Sequence, residues 1–171
     1  PEIVYVINDA KARVLFVGPE FAAAAAQLRG QLPLLEKVIH IGGAADEYEP
    51  WLAAHQPDAR VHPAAPTDCF VQLYTSGTTG FPKGAMLTHH GMLAHARNVA
   101  ATQTLGADSR VQVAMPLFHV GGTSYSFVAW AGGAPIFMMR MPDPLGALQM
   151  LERERITHTF YVPALMAAMT Q

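Results

Sequence analysis

Residues 74–84 hold the side chains that are best suited to chemistry in this sequence. They form a loop with three glycines, four Ser or Thr hydroxyls and one lysine. Glycine lets the backbone approach an anion closely, and successive N–H groups can surround one. Hydroxyl donors and an ammonium group add hydrogen bonds and positive charge. The loop therefore predicts a phosphate site, formed by Thr75, Ser76, Gly77, Thr78, Thr79, Gly80, Pro82, Lys83 and Gly84.

The spacing in this loop differs from that of a Walker A loop, in which Gly, four further residues and Gly-Lys-Ser/Thr open a helix. Here Pro82 precedes Lys83, and proline has no backbone N–H to donate. The sequence therefore predicts a loop that covers a phosphate chain, not one that cradles it at a helix start. A surface loop without a ligand is the alternative.

Histidine and serine side chains elsewhere could do other chemistry. His89, His90 and His95 are spaced so that they do not align as metal ligands on one helical face. Residues 122–126 lack the last glycine of a Gly-x-Ser-x-Gly nucleophile elbow. His119 follows a predicted strand and precedes two glycines. It is either a packing residue at the end of the strand or part of a substrate pocket.

Alternating strands and helices must position these side chains. Strands are predicted at 13–17, 37–41, 69–75, 110–115, 134–139 and 158–162. Helices are predicted before the first strand and over 19–32, 47–55, 89–105, 121–131 and 143–155, with another from 163. This alternation is typical of an α/β fold in which helices flank parallel sheets.

A proline-rich connector at residues 56–68 predicts a boundary near residue 65. The sequence then divides into two α/β subdomain portions, residues 1–64 and 65–171, and we expect both to be incomplete. The second portion contains the glycine-rich loop and His119.

The composition excludes several classes of protein. Of the 171 residues, 51% are hydrophobic and 14% are charged, with a net charge of −2, whereas about 25% charged residues is usual. The chain is too apolar to be disordered and has no basic excess for binding nucleic acid. The one cysteine, Cys69, cannot form an intramolecular disulfide, and we expect it in the core of a buried strand.

A long uncharged stretch at residues 111–139 raises the question of a membrane span. Glycines and prolines interrupt it, and its apolar runs are far shorter than the roughly 18 residues that a span needs. We therefore expect a buried strand–helix–strand unit and no transmembrane segment. The sequence shows no signal peptide, so a cytoplasmic location is expected, with peripheral membrane contact if the substrate is a fatty acid.

The loop at Tyr74–Gly84 resembles the signature phosphate loop of the adenylate-forming superfamily, which includes acyl-CoA synthetases, firefly luciferase and peptide-synthetase adenylation domains. The segments Met86–His89, Met115–Gly122 and Ile156–Pro163 resemble further motifs of that superfamily. The resemblance covers nearly the whole chain. It implies part of the αβαβα N-terminal domain of acyl-CoA synthetases.

The resemblance also implies an activity. A carboxylic acid, with a fatty acid favoured, would react with ATP to give an acyl-adenylate, and coenzyme A would then take the acyl group as a thioester. Lys83 would neutralise charge on the departing phosphates and Thr78 would lie beside Mg²⁺. The resemblance places His119, Val120, Gly121 and Gly122 beside the acyl pocket.

The resemblance leaves other functions open. Peptide-synthetase adenylation, luciferase-like oxidation and a non-catalytic nucleotide-binding module are the alternatives. The adenine and ribose sites of the family and its C-terminal domain with a catalytic lysine are not recognisable in this sequence. We therefore expect a fragment that is inactive alone, exposes apolar faces and self-associates.

Overall fold

The computed structural model describes residues 1–61, 63–75, 80–141 and 143–170. The helices within these ranges are α1 (Glu2–Asp9), α2 (Ala22–Leu28), α3 (Tyr48–Ala53), α4 (His89–Thr102), α5 (Val120–Ala131), α6 (Pro144–Arg153) and α7 (Pro163–Met169). The strands are β1 (Val14–Val17), β2 (Lys37–His40), β3 (Cys69–Thr75), β4 (Lys83–Thr88), β5 (Val111–Val113), β6 (Ile136–Met138) and β7 (His158–Thr159). Short 3-10 turns flank α2 on both sides.

The parallel sheets that the sequence predicts are present. Strands β1 and β2 pair in parallel, with Val14 opposite Lys37. A three-stranded sheet has the order β6-β5-β7, and β5 pairs in parallel with both of its neighbours. Helices separate all of these strands along the chain, as parallel connections require. The α/β fold class is therefore confirmed.

The chain divides into two units. Unit 1 contains Pro1–Pro63 and Tyr74–Ala85, and unit 2 contains Ala64–Leu73 and Met86–Gln171. Strands β3 and β4 form a two-stranded sheet, and each contributes residues to both units. The assignment of residues 1–64 and 65–171 to two subdomains of a larger domain stays a prediction.

The core of unit 2 lies where α4 and α5 pack beside strand β5. Its apolar residues are Ala96, Ala100, Val111, Val113, Tyr125, Val128, Ala129 and Ala134. Small side chains dominate the two helices here, so their backbones can approach closely. This packing positions the N-terminal end of α5, which follows His119.

One buried polar residue connects β5 to elements on either side of it. Gln112 is fully buried, and its Nε2 donates to the carbonyl oxygen of Ala147 at 3.2 Å. The hydroxyl of Tyr161 donates to Oε1 of the same side chain. A buried amide must be hydrogen bonded in this way to offset its lost hydration. Gln112 therefore fixes β5 against α6 and the segment after β7.

The sequence analysis missed strand β4 and overestimated the burial of β3. The β4 sequence Lys-Gly-Ala-Met-Leu-Thr contains Lys and Gly, which strands disfavour, so its only strong signal is the pairing with β3. Strand β3 is half-buried along most of its length. Cys69 at its start is exposed, so its placement in the core was wrong.

The uncharged stretch at residues 111–139 folds into β5, α5 and β6. This is the strand–helix–strand unit that the sequence predicts. No helix within the described parts of the chain is long and apolar enough to cross a membrane.

Candidate functional site

The glycine-rich loop connects the end of β3 to the start of β4. Its predicted phosphate-binding residues Ser76, Gly77, Thr78 and Thr79 lie outside the described residues. The structure does place the two ends of the loop, Thr75 and Gly80–Gly84, and all of these residues belong to unit 1. The ends are therefore the part of the predicted site whose geometry can be analysed.

A hydrogen bond closes the base of the loop. The hydroxyl of Thr75 donates to the carbonyl oxygen of Lys83 over 3.5 Å, at the long end of the range for such bonds. Thr75 is exposed at the end of β3, and Lys83 is the first residue of β4. The loop thus leaves and rejoins the two-stranded sheet at neighbouring points.

Gly80 gives the loop a turn that other residues rarely adopt. Its φ angle is +136°, and nothing lies within 4 Å of the position that a Cβ would occupy. The requirement for glycine is therefore conformational, since an L side chain would strain the backbone there. The strain would change the path of the chain into Pro82 and Lys83.

The ammonium group of Lys83 is available to an anion. The side chain is exposed, and among the described residues no carboxylate forms an ion pair with it. A lysine without a protein counter-charge at the exit of a glycine-rich loop can contribute its full positive charge to a bound phosphate.

Helix α1 contacts both ends of the loop. The hydroxyl of Tyr74 donates to Oδ2 of Asp9 at 2.6 Å, and the ring of Phe81 stacks on that of Tyr5 with centroids 4.9 Å apart. Desolvation and the hydrogen bond to Asp9 raise the pKa of Tyr74 to about 12. Tyr74 therefore stays protonated at neutral pH. Sequence reasoning missed these contacts, because Tyr5 and Asp9 belong to no recognisable motif.

His119 is the N-cap of helix α5. Its Nδ1 accepts a hydrogen bond from the backbone N–H of Gly121 at 3.1 Å. This bond orients the ring and assigns the proton of the neutral imidazole to Nε2. The side chain is exposed in this chain, and its place in a substrate pocket stays a prediction. The Nε2–H can donate to a bound group.

Gly122 is required by close packing. A Cβ at this position would overlap the carbonyl oxygens of Met115 and Pro116. The absence of a side chain therefore lets the first turn of α5 lie against the segment that carries His119. Gly121 has more room, since the nearest atoms to a Cβ there would be 3.4 Å away.

An open groove begins beside Val120, one of the residues that the resemblance places at the acyl pocket. Its volume is about 420 Å³, and we call it the Val120 groove. It is lined by Met86, Leu87, Thr88, Gly91, Met92, His95, Val120 and Ser124. Most of this lining is apolar, as in many small-molecule sites.

Two polar side chains in the Val120 groove are joined to each other. Nε2 of His95 on α4 is 2.5 Å from Oγ of Ser124 on α5. The sequence analysis considered both residues only for other chemistries, a metal site and a serine nucleophile. Their pairing depends on the packing of α4 against α5, which no local pattern encodes.

The aromatic residues of α5 do not line the Val120 groove. Tyr125 is buried in the core of unit 2. Phe127 and Trp130 line a second apolar groove of about 530 Å³, together with Phe70 and His89. Tyr125 therefore belongs to the core, whereas Phe127 and Trp130 lie at this second groove.

The described residues contain no group of three or more His, Cys, Asp or Glu side chains that could hold a metal ion. His89 packs edge-on against Phe70, with ring centroids 5.0 Å apart, and His95 pairs with Ser124. Thr78, the predicted neighbour of Mg²⁺, lies outside the described residues.

The comparisons with known proteins decide the family. The sequence profile described as AMP-binding enzyme matches residues 1–171. The chain belongs to this family. It is 33% identical to a feruloyl-CoA synthase of Amycolatopsis sp over 98% of its length, and 30% identical to the fatty acid–[acyl-carrier-protein] ligase ScoC of Streptomyces coeruleorubidus over 99%.

The fold comparison agrees with this assignment. The anthranilate CoA ligase AuaEII, solved in complex with anthranoyl-AMP, matches 98% of this AMP-binding chain with a TM-score of 0.89 and 28% identity. The chain covers 34% of that structure, and 32% and 33% of the two curated relatives. It therefore spans about a third of the length of the proteins it matches.

Proposed function

We propose that the whole protein activates a carboxylic acid with ATP and then transfers the acyl group to coenzyme A. The observation that carries the proposal is Lys83, which is exposed and without a counter-charge among the described residues. It lies at the exit of a glycine-rich loop in a chain of the AMP-binding enzyme family. A cytoplasmic location, where ATP and coenzyme A are available, belongs to the same proposal.

The first step forms an acyl-adenylate. A carboxylate oxygen of the acid attacks the α-phosphorus of ATP, the bond from that phosphorus to the bridging oxygen breaks, and pyrophosphate leaves. We propose that the loop residues Thr75–Gly84 hold the β- and γ-phosphates and that Lys83 stabilises the charge that develops on them. Mg²⁺ would neutralise part of the phosphate charge, and Thr78 is the hydroxyl that we propose beside it.

The second step forms the thioester. The thiolate of coenzyme A attacks the acyl carbon, the bond to the adenylate oxygen breaks, and AMP leaves. We propose His119 as a donor to the acid or its adenylate through Nε2–H, because the cap on α5 leaves that nitrogen exposed. Gly122 lets the first turn of α5 lie close to Met115 and Pro116, and Gly121 supplies the N–H that orients the ring of His119.

We propose the Val120 groove as the acyl site. It contains Val120, and its largely apolar lining suits the carbon skeleton of an acid. The fatty-acid assignment stays a prediction, since the relatives' names include both a fatty acid ligase and a feruloyl-CoA synthase. We propose that the acid carries a hydroxyl or amino substituent, because the hydroxyl oxygen of Ser124 can accept a hydrogen bond from it while it stays paired with His95.

The test is ATP–pyrophosphate exchange by the whole protein with Lys83→Ala. We expect the exchange rate to fall by about 100-fold or more, as when one group that stabilises transition-state charge is removed. Lys83→Arg keeps the charge and should retain more activity than Lys83→Ala. Lys37→Ala removes a lysine whose ammonium lies over the ring of Trp51 and serves as the matched control.

Unchanged exchange in Lys83→Ala would eliminate the proposed role of Lys83 in catalysis. Nucleotide binding without exchange in the unmodified protein would favour the alternative, a non-catalytic nucleotide-binding module. The 171-residue chain alone should show no exchange, because the family's adenine and ribose sites and its C-terminal lysine are not recognisable in it. Exchange by this chain alone would contradict that prediction.

A further inference from the structure

The two ends of the glycine-rich loop are held by the same helix. Before the loop, Tyr74 is hydrogen bonded to Asp9 of α1 at 2.6 Å. After the loop, Phe81 stacks on Tyr5 of α1, with an angle of 23° between the ring planes. All four residues belong to unit 1.

The spacing along α1 makes this double contact possible. Tyr5 and Asp9 are four residues apart, so they lie on the same side of the helix, one turn from each other. One face of a short helix therefore reaches the entry and the exit of the loop together. The two contacts differ in kind, since one is a hydrogen bond and the other is a ring stack.

Helix α1 has further contacts within unit 1. The side-chain amide of Asn8 donates to the carbonyl oxygen of Gln31 at 3.0 Å. Ile3 and Ile7 line an apolar groove together with Leu28 and Leu32. These contacts restrict the movement of α1, so α1 can in turn restrict the movement of the two ends of the loop.

We infer that α1 is a positioning element for the phosphate loop, with Asp9 and Tyr5 as its positioning residues. The inference rests on the proposed function, and it adds a role for residues outside the loop. Because Tyr74 and Phe81 are held at the two ends of the loop, less conformational entropy is lost at these ends when a phosphate binds. The same contacts keep Lys83, two residues after Phe81, near one position.

The first test removes the hydrogen bond at the loop entry. In the whole protein, Tyr74→Phe removes the donor and Asp9→Ala removes the acceptor, and each should raise KM for ATP by about tenfold, the scale of one lost hydrogen bond. KM for the acid should change by less than about twofold. The double variant should be no worse than the poorer single variant, because both substitutions remove one bond.

The second test removes the stack at the loop exit. Tyr5→Leu should also raise KM for ATP. Tyr5→Phe keeps a ring that can stack on Phe81, so KM for ATP should stay as in the unmodified protein. Glu36→Gln is the control, because it breaks an exposed ion pair with Arg13 in the same unit and does not touch the loop. It should leave both KM values unchanged.

Hydrogen exchange over residues 75–84 gives a readout that does not need activity. Faster exchange in Asp9→Ala and Tyr5→Leu than in Glu36→Gln would support the inference. The inference is overturned if Tm falls in these variants while exchange over 75–84 and KM for ATP stay as in the unmodified protein, since α1 would then be only structural. Failure of the unmodified protein to adenylate any acid would instead contradict the proposed function.

Discussion

Ser124 is the residue through which we expect the Val120 groove, the proposed acyl site, to discriminate between acids. Its hydroxyl and Nε2 of His95 lie 2.5 Å apart, so one of them donates and the other accepts. The hydroxyl oxygen of Ser124 can still bind a second partner, because an oxygen of this type has two lone pairs and one proton. The groove around the pair is otherwise largely apolar. A polar substituent on the acid is therefore the partner that this arrangement suits best.

We expect Ser124→Ala to reduce the discrimination between acids that differ by one hydroxyl. For matched pairs such as an aromatic acid and its hydroxylated form, or a chain acid and its ω-hydroxy form, the ratio of kcat/KM values should fall about tenfold. This is the scale of an unsatisfied polar partner in a binding site. The ratio is obtained from the adenylation rates of the whole protein, with pyrophosphate release as the readout.

The matched control is Thr102→Ala at the end of α4, where the hydroxyl bonds only the carbonyl oxygen of Val99 in its own helix. It should leave the ratio unchanged. Equal ratios in Ser124→Ala and the unmodified protein, or a preference for unsubstituted acids from the start, would exclude the pair as a specificity determinant.

At the scale of elements, strand β5 depends on one buried amide. Gln112 is hydrogen bonded to Ala147 at the start of α6 and to Tyr161 after β7. In the sequence it is one of the polar residues of the uncharged stretch. The structure shows that this polarity joins neighbouring elements of a buried sheet.

Gln112→Ala should lower the free energy of unfolding by about 2 to 4 kcal/mol, because it leaves a cavity and removes the partners of a buried carbonyl and a half-buried hydroxyl. Gln149→Ala on the exposed side of α6 should change it by less than about 0.5 kcal/mol. Urea unfolding of the two variants, compared at one protein concentration, tests the difference. Similar midpoints for both would show that the network of Gln112 contributes little to stability.

Local signals predicted most elements but not the contacts between them. The bounds 69–75 of β3 are as the sequence predicts. The helix predicted from residue 143 has Asp143 as its N-cap, which accepts from the N–H of Gly146 at 2.7 Å. The predicted helix over 19–32 is divided between α2 and two 3-10 turns. Strand β4 was missed because its stability comes from pairing with β3 and not from its own residues.

The candidate site shows the same difference between local residue patterns, which were predicted, and contacts between distant residues, which were not. The type and order of residues in the loop predicted a phosphate site, because glycines, hydroxyls and one lysine in series carry their chemistry locally. The pairs Tyr74–Asp9 and His95–Ser124 join residues 65 and 29 positions apart. Such contacts depend on how helices pack, so no spacing in a single sequence could indicate them.

At the scale of the whole molecule, the low charge has a structural counterpart. Large apolar side chains remain exposed in both units, with Phe118 83% exposed and Phe81 and Met141 each 73% exposed. Scattered exposed apolar residues are usual, but many together indicate surfaces that another chain or segment covers. The chain spans about a third of the relatives that it matches.

We therefore expect the 171-residue chain alone to self-associate as its concentration rises. Light scattering and sedimentation velocity should show growing mass, and added sulfate should increase it, since salts excluded from protein surfaces strengthen apolar burial. Phe118→Ser, at the most exposed of these three aromatic and Met side chains, should reduce association. Arg60→Ser is the matched control, because it removes an exposed side chain whose ion pair with Asp58 is local. A stable monomer at all concentrations would show that these apolar surfaces need no cover, and the low charge would then be a property of the folded chain itself.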